Sequence, residues 1–474
     1  MFHVKQRDQT GPNWGGRFGW GWHSMDEMAG QGWKDRLAAF DAAGLSDEAL
    51  RFLQVEAFQK PDDFDIALAL AGRCKDAGQF ADAAAVFVPF TQSNDGVLRF
   101  RGLLEHADCL RRLGDFRAAE AEIRRAMAHD PGSHWPVQAM AELYAAEGRD
   151  SERLPLIEAH YAGLRPDGKA EIARYASGMR AYWHFNETRG RPGWRPHMSG
   201  RVAALARAGL VMMVKDEADI ITQHLDHYHA LGFRAFCVLD NASTDETAKL
   251  IARFRENHAD SIVLYVHDPV VGYYQSDKMA MFQAILPQYA KLAGTVLEWL
   301  FFVDADEFIA FAGEDDVRAV AEFDAILNDP AAKILVFHWV NGASSDLIEA
   351  MPENADPFAI FTRFNSRLLP VVPKVALRVG SGLLPMMGNH FVAEYEGDSN
   401  GVRSMALNDF YMCHFPLRSI EHVRKKVLNG GRAFRGATGL EAHGNHWRER
   451  YGLYEKFGEP VLRQMLENHI NEIN

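Results

Sequence analysis

Phe301-Phe302-Val303-Asp304-Ala305-Asp306-Glu307-Phe308 is the stretch on which the fold turns. The run Leu297–Val303 is mostly apolar and of strand length, and it ends in three carboxylates within four positions. An apolar run with no polar alternation predicts a strand buried on both faces, as in a parallel sheet. Carboxylates this close repel one another and lose solvation, and a divalent cation relieves both costs. Oxygen ligands suit Mg2+ or Mn2+, ions that keep waters and bind substrate phosphates. Asp304 and Asp306 are therefore expected to ligate a metal. Spacing alone would not say so, because Asp63-Phe64-Asp65 repeats it on a helical stretch. The strand end is what separates the two.

Upstream, the same alternation of elements recurs. Leu210–Val214 predicts a strand, Asp216–Leu231 a helix closed by Gly232, and Arg234–Leu239 a second strand. Asp240-Asn241-Ala242-Ser243-Thr244-Asp245 is a turn in which Ser243 or Thr244 caps a helix over 245–257. Ser261–Val266 is a third strand, Asp277–Leu292 a helix and Leu297–Val303 a fourth strand. Strands alternating with helices imply right-handed crossovers and a mostly parallel α/β sheet. Ligands of such sheets sit beyond the carboxyl ends of the strands, where Asp216, Glu217, Asp240, Asp304 and Asp306 fall. His224, His227 and His229 crowd one helix without the Glu of a metalloprotease pattern, and read as structural.

Before this region, residues 35–163 have a helical pattern. Gly78, Gly114 and Gly148 are 36 and 34 residues apart, and Gly78-Gln79-Phe80 with Ala83 and Phe87 returns as Gly114-Asp115-Phe116 with Ala119 and Ile123. This resembles the tetratricopeptide repeat, whose stacked helix pairs share a core and offer a surface to a protein partner. Residues 1–34 read as a Gly- and Trp-rich, poorly ordered arm, 164–207 as an Arg/Gly/Pro-rich linker, and 436–474 as a helical extension.

Composition narrows the class further. The chain has 474 residues, 47% hydrophobic and 24% charged, with a formal net charge of −13. Those are globular proportions, and the acidic balance argues against coating a nucleic acid. The start lacks the apolar core of a secretory signal, and no apolar run is long enough to span a bilayer. Cys74, Cys109, Cys237 and Cys413 form no CxxC pair and read as reduced thiols of a cytoplasmic protein.

Taken together, Val214-Lys215-Asp216-Glu217, Leu239-Asp240-Asn241-Ala242-Ser243-Thr244-Asp245 and Asp304-Ala305-Asp306-Glu307 resemble the nucleotide-sugar half of a GT-A-fold, family 2-like glycosyltransferase. Trp339-Val340-Asn341-Gly342, Gly388-Asn389-His390 and His414-Phe415-Pro416-Leu417-Arg418-Ser419 resemble the bacterial subgroup related to glycosyltransferase family 92, over about residues 208–435. Lys215-Asp216-Glu217 departs from the commoner Arg/Lys-Asn-Glu.

The resemblance implies a nucleotide-sugar donor bound by Val214, Glu217, Asp240, Lys278, Asp304 and Arg418, and Mn2+ or Mg2+ held by Asp304, Asp306 and His414. It implies an inverting transfer to a glycan or lipid-linked acceptor, with Asp346 or His390 as general base, in surface polysaccharide biosynthesis. The cations Arg418, Arg424, Lys425, Lys426 and Arg432 would steer an anionic ligand, or rest on the inner face of a membrane. A second reading is a repeat scaffold on a degenerate transferase domain. A nucleotidyltransferase ranks lower, since Val214–Ala218 lacks the glycines of a phosphate loop.

Overall fold

The computed structural model describes residues 33–473, apart from 43–44, 132, 134, 150, 154, 157–158, 160–168, 189–193, 199, 271–274, 366–367, 369–372, 393–394, 396–400 and 437–444. The Gly- and Trp-rich arm lies outside the described residues up to position 32. The chain divides between residues 160 and 161 into two compact units. The first is a helical array and the second an α/β unit on a mixed, mostly parallel sheet, which is the fold class expected.

In the helical unit, α1 (Trp33–Ala42), α2 (Ser46–Gln59), α3 (Phe64–Asp76), α4 (Phe80–Phe87), α5 (Gly96–Leu113), α6 (Phe116–His129) and α7 (Trp135–Ala146) follow in order. Gly78, Gly114 and Gly148 take φ of 72°, 82° and 74° after α3, α5 and α7. At each, the glycine N–H and the next N–H turn back onto the helix: Gly78 onto Lys75 and Gln79 onto Cys74, then Gly114 onto Arg111 and Asp115 onto Leu110, then Gly148 onto Ala145 and Arg149 onto Tyr144. This is a left-handed helix cap, which an L side chain enters only at a cost. Ala83 and Ala119 are fully buried where the paired helices meet. Asp63 is the N-cap of α3, its carboxylate accepting from the N–H groups of Asp65 and Ile66 at 3.1 Å each.

In the α/β unit the strands are β1 (Ala208–Val214), β2 (Ala235–Asp240), β3 (Ile262–His267), β4 (Trp299–Phe302), β5 (Glu307–Phe311), β6 (Ile334–Ala343), β7 (Arg363–Phe364), β8 (Pro373–Arg378), β9 (Val402–Ser404) and β10 (Phe410–His414). They pair in the order β3-β2-β1-β4-β8-β6-β10-β5, with β7 and β9 also on β6. The first four are parallel, β8 and β5 run against their neighbours, and β10 is parallel to β6. The chain runs outward from β1 to β3 and then returns to the far side of β1 as β4, so strand order reverses there and opens a crevice at the carboxyl ends.

Alternate residues of each strand feed two cores. Met212, Phe301 and Phe337 face one side, with Tyr228 and Phe308, while Val211, Phe302 and Val336 face the other, with Met279 and Phe282. Each buried aromatic or aliphatic side chain contributes about 1.5–3 kcal/mol of transfer free energy.

The segment expected as a linker is different. It holds α8 (Lys169–Thr188), whose Ala181 and Phe185 are fully buried in the sheet's core, with Phe185 edge-on to Tyr411 at 5.4 Å. The Arg/Gly/Pro cluster after this helix marks its end and hid the helix itself. The sheet is flanked by α9 (Ile221–Leu231), α10 (Thr247–Asn257), α11 (Gln275–Leu292) and α12 (Asp316–Asn328), and closed by α13 (Ile420–Gly436), α14 (Asn445–Phe457) and α15 (Glu459–Glu472). Leu462, Leu466 and Ile470 of α15 pack on Val423 and Val427 of α13, so the C-terminal segment shares a core with the helix beside the site. Among the described residues, no helix is long and apolar enough to cross a membrane. The four cysteines are buried free thiols.

Candidate functional site

The site is assembled by register. β10 pairs antiparallel with β5 so that His414 lies opposite Glu307, and parallel with β6 so that it lies opposite Asn341. A residue at the end of one strand is thereby set against the acidic turn after β4. The Nε2 of His414 stands 3.6 Å from Asp306 Oδ2. Its Nδ1 is 2.9 Å from Asn341 Oδ1, an oxygen that can only accept. Nδ1 therefore bears the proton and Nε2 carries a lone pair toward Asp306. The Trp339 ring stacks on the imidazole at 4.3 Å and holds its plane.

Three cations surround the acidic turn. Lys426 of α13 donates to Asp306 Oδ2 at 2.7 Å, and Arg418 Nη1 lies 3.9 Å from the same oxygen. Lys374 of β8, 1% exposed, donates to Asp304 Oδ2 at 2.6 Å and lies 3.2 Å from Glu307 Oε1. Gln275 donates to Asp304 Oδ1 at 3.1 Å and accepts from the Gly388 N–H at 2.9 Å. Arg418, fully buried, reaches Asp219 through two bonds of 2.8 Å and Glu217 at 2.6 Å.

Burial pushes the Asp306 carboxyl up, but Lys426, His414 and Arg418 together hold it well below the usual range. Burial raises Glu307 to about 8 against the pull of Lys374, with Asp304 and Asp306 adding to the rise. Burial likewise raises Glu217 to about 7 against Arg418. His414 is lowered by burial, against Asp306, and stays neutral near pH 7. The donor set of Asp306 and His414 fits a divalent cation. Ligand atoms about 2.1 Å from one ion stand about 3.0–4.0 Å apart, and 3.6 Å is too long for a hydrogen bond. Asp306, Glu307 and His414 offer ligand atoms within 4.8 Å of one another. Asp304, held on both oxygens by Gln275 and Lys374, is committed elsewhere.

At the neighbouring strand ends a second group forms. Asp240, 1% exposed, accepts from the Ser243 N–H and from the Tyr265 hydroxyl, each at 2.8 Å. Lys278 ion-pairs with Asp268 after β3, and the Asn241 amide oxygen can accept from it at 2.8 Å. Val214, 2% exposed, uses its carbonyl to accept from Asn241 N–H at 2.9 Å. Asp216, at φ 56°, accepts from Thr244 N–H at 2.6 Å and from Asn429 of α13 at 2.7 Å. It clips the turn after β2 to α13.

Among the residues expected from sequence, Glu217, Asp304, Asp306, His414 and Arg418 come together in one cluster of charged and polar side chains, in which Arg418 bonds Glu217 and lies 3.9 Å from Asp306, and His414 lies 3.6 Å from Asp306. Asp240 ends β2, and Lys278, in the first turn of α11, pairs with Asp268 after β3. His390 is half-buried, its Nδ1 3.1 Å from the Pro373 carbonyl and its ring edge-on to Trp339 at 5.1 Å. Burial, then Lys374, lowers it to about 4. Asp346 is exposed after β6, where its carboxylate accepts from Ser345 at 2.8 Å.

Among the described side chains, four of the five cations of the stretch are paired, while the Arg432 side chain lies outside those described. Arg418 is buried, Arg424 pairs with Glu459 at 2.7 Å, Lys425 with Glu421 at 3.3 Å and Lys426 with Asp306. Lys374 and Asp219 were missed by sequence reading. Lys374 had a signal, since a lone lysine inside the apolar run Val371–Leu377 must be paired if that run is a buried strand.

No family model matches the chain, and no curated protein matches it. Among solved structures, MamA MSR-1 C2 is 20% identical, covers 29% of this chain and 78% of its own, and has a TM-score of 0.23. A mannosyltransferase from Pyrobaculum calidifontis, in complex with GDP-Man and Mn2+, is 15% identical and covers 66% of this chain and 85% of its own at 0.28. An O-GlcNAc transferase from Thermobaculum terrenum is 13% identical and covers 56% and 46% at 0.22. At these scores the likenesses carry no weight for the site.

Proposed function

We propose that the α/β unit transfers a sugar from a nucleoside-diphosphate donor to a hydroxyl acceptor with the help of a divalent cation. The observation that supports this reading most directly is the facing pair His414 Nε2 and Asp306 Oδ2, 3.6 Å apart, at strand ends where Lys426, Arg418 and Lys374 already gather around the carboxylates. Mn2+, which accepts imidazole as well as carboxylate, suits that pair better than Mg2+. A cation there would offset the charge that develops on the departing diphosphate.

The chain's own residues divide the rest of the work. Lys426, bonded to Asp306 and to the Pro416 carbonyl, is the most exposed of the three cations and the one a phosphate oxygen could reach from solvent. Lys374 holds Asp304 and Glu307 in place from within the sheet. Asp240, Tyr265, Asp268 and Lys278 gather at the ends of β2 and β3, two and three strand spacings from β4, or about 10 and 14 Å. They are suited to the nucleoside end of the donor. His390, packed on Gly388 with its Nδ1 at the Pro373 carbonyl, and Asp346, exposed beyond β6, are the two candidates for the base that takes the acceptor proton.

The acceptor reading is a glycan or lipid-linked glycan of surface polysaccharide assembly, with the helical unit recruiting a protein partner and the chain working in the cytoplasm or at the inner face of the membrane. The deciding experiment is a screen of nucleotide sugars with Mn2+, read as nucleoside diphosphate release. Release of pyrophosphate would mark a nucleotidyltransferase instead. No turnover, with no thermal shift from Mn2+ and UDP or GDP, would leave a scaffold. NMR of the product anomer tests inversion.

A further inference from the structure

Away from this cluster, where the C-terminal ends of α9 and α10 meet, two His–Asp pairs cross between neighbouring segments. His229 lies in the last turn of α9, and Asp226 one turn before it. His258 is the C-cap of α10, and Asp260 lies in the turn that leads to β3. His229 Nε2 stands 3.1 and 3.3 Å from the two oxygens of Asp260, while His258 Nε2 stands 3.1 Å from Asp226 Oδ1. Each segment thus gives one imidazole and one carboxylate to the other. The two imidazole rings lie 4.1 Å apart, and His229, His258 and Asp260 offer ligand atoms within 4.8 Å of one another.

We propose that His229, His258 and Asp260 form a second divalent-metal site, of zinc type, independent of the sugar-transfer reading. Two imidazole nitrogens and one carboxylate oxygen are the borderline donor set that Zn2+ takes, with a fourth position left to water. Donors about 2.0–2.1 Å from one ion at near-tetrahedral angles stand about 3.0–3.4 Å apart, and the His229–Asp260 separations fall in that range. The outer groups are also arranged for it. Arg234 binds Asp260 Oδ2 at 2.7 Å and fixes the carboxylate, leaving Oδ1 toward His229. Asp226 takes one nitrogen of His258, which directs the other away from that bond. Asp226 and Asp260 are both exposed and the two imidazoles only part-buried, so an ion from solvent can reach the cluster.

The consequence is mechanical. α9 follows the turn that carries Glu217 and Asp219, and α10 follows the turn that carries Asp240 and Asp245. An ion at His229, His258 and Asp260 ties the far ends of these two helices together and steadies both turns.

The test counts bound Zn2+ on the full chain by calorimetry and by metal analysis after gel filtration, with Co2+ as a spectroscopic stand-in. The double variant Asp306→Ala/His414→Ala should still bind one equivalent and give the intense visible absorption of tetrahedral Co2+. His229→Gln/His258→Gln should bind one equivalent fewer than the parent chain, with circular dichroism unchanged. The proposal is overturned if parent and His229→Gln/His258→Gln bind the same number of equivalents, or if the Co2+ spectrum is the same in both. Because the count is a difference between these two chains, it stands whether or not Asp306 and His414 hold a metal.

Discussion

Asp63-Phe64-Asp65 and Asp304-Ala305-Asp306 have the same spacing and opposite fates. In the helical unit Asp63 faces the N-terminus of α3 and satisfies two of its free N–H groups, while Asp65 is exposed and pairs with Lys34 at 3.1 Å. In the α/β unit the same pair follows a buried strand. Asp304 is met there by a buried lysine, and Asp306 by Lys426, Arg418 and a neutral histidine. The difference is in what the neighbouring elements can deliver. A helix start offers backbone dipoles and open water, so a carboxylate there caps. A strand end inside a mixed sheet offers side chains from strands distant in sequence, so a carboxylate there joins a network.

The sharpest way to break the contrast is to remove one carboxylate from each. Asp306→Ala should lower metal-dependent transfer by on the order of 10³-fold or more with the fold intact. Full turnover in metal-containing buffer would refute the assignment. Next in size is Lys374→Met. It leaves Asp304 and Glu307 beside a vanished cation inside the sheet, and should lower stability by about 3 kcal/mol in urea titrations. A change of a few tenths would show that the buried ammonium is not what holds the turn.

Acid should sharpen the contrast through the support beneath the second dyad. His224 packs against Phe308 at 5.1 Å and Tyr228 at 4.8 Å, and burial lowers it to about 3; burial lowers His227 to about 4 and His338 to about 3. Each stays neutral in the folded chain while an unfolded histidine takes a proton near 6.5. The unfolded state therefore binds more protons below that pH. Stability of the α/β unit falls as pH drops from about 6.5 toward 4, by up to about 1.4 kcal/mol per pH unit for each group. His224→Phe should flatten that slope by one proton's worth, and an unchanged slope would exclude His224 as a contributor. The smallest effect belongs to the other dyad: Asp63→Ala should cost about 1 kcal/mol of helical-unit stability and leave transfer unchanged.

What could be read from sequence follows the same division. The strands from Leu210 to Val303 were legible because each is an apolar run closed by a turn residue, and the repeat glycines because a left-handed cap recurs at matching offsets. The acidic strand ends were legible as a group. Lys374, Asp219 and the pairing of His414 with Glu307 were not, because long-range register in a mixed sheet leaves no local periodicity. The helix at 169–188 leaves little trace in the sequence, because its buried stripe of Ala173, Ser177, Ala181 and Phe185 is mostly small residues and the glycines and prolines after it dominate the composition. The cationic run near residue 425 looked like a surface feature. Charge alone does not tell whether an ammonium faces water or an aspartate on another strand.

The pairing of β10 with β5 has a last consequence for how this chain tolerates change. Side chains alternate along a strand, so losing a single residue anywhere between Phe410 and Cys413 would rotate every later position by half a turn. The imidazole would leave the cleft and point into packed hydrocarbon, although every amino acid needed for the site would still be in the polypeptide. Deletions in this five-residue segment should therefore be far more damaging than substitutions, and a chain redesigned around the cleft must keep the segment's length before it keeps its letters.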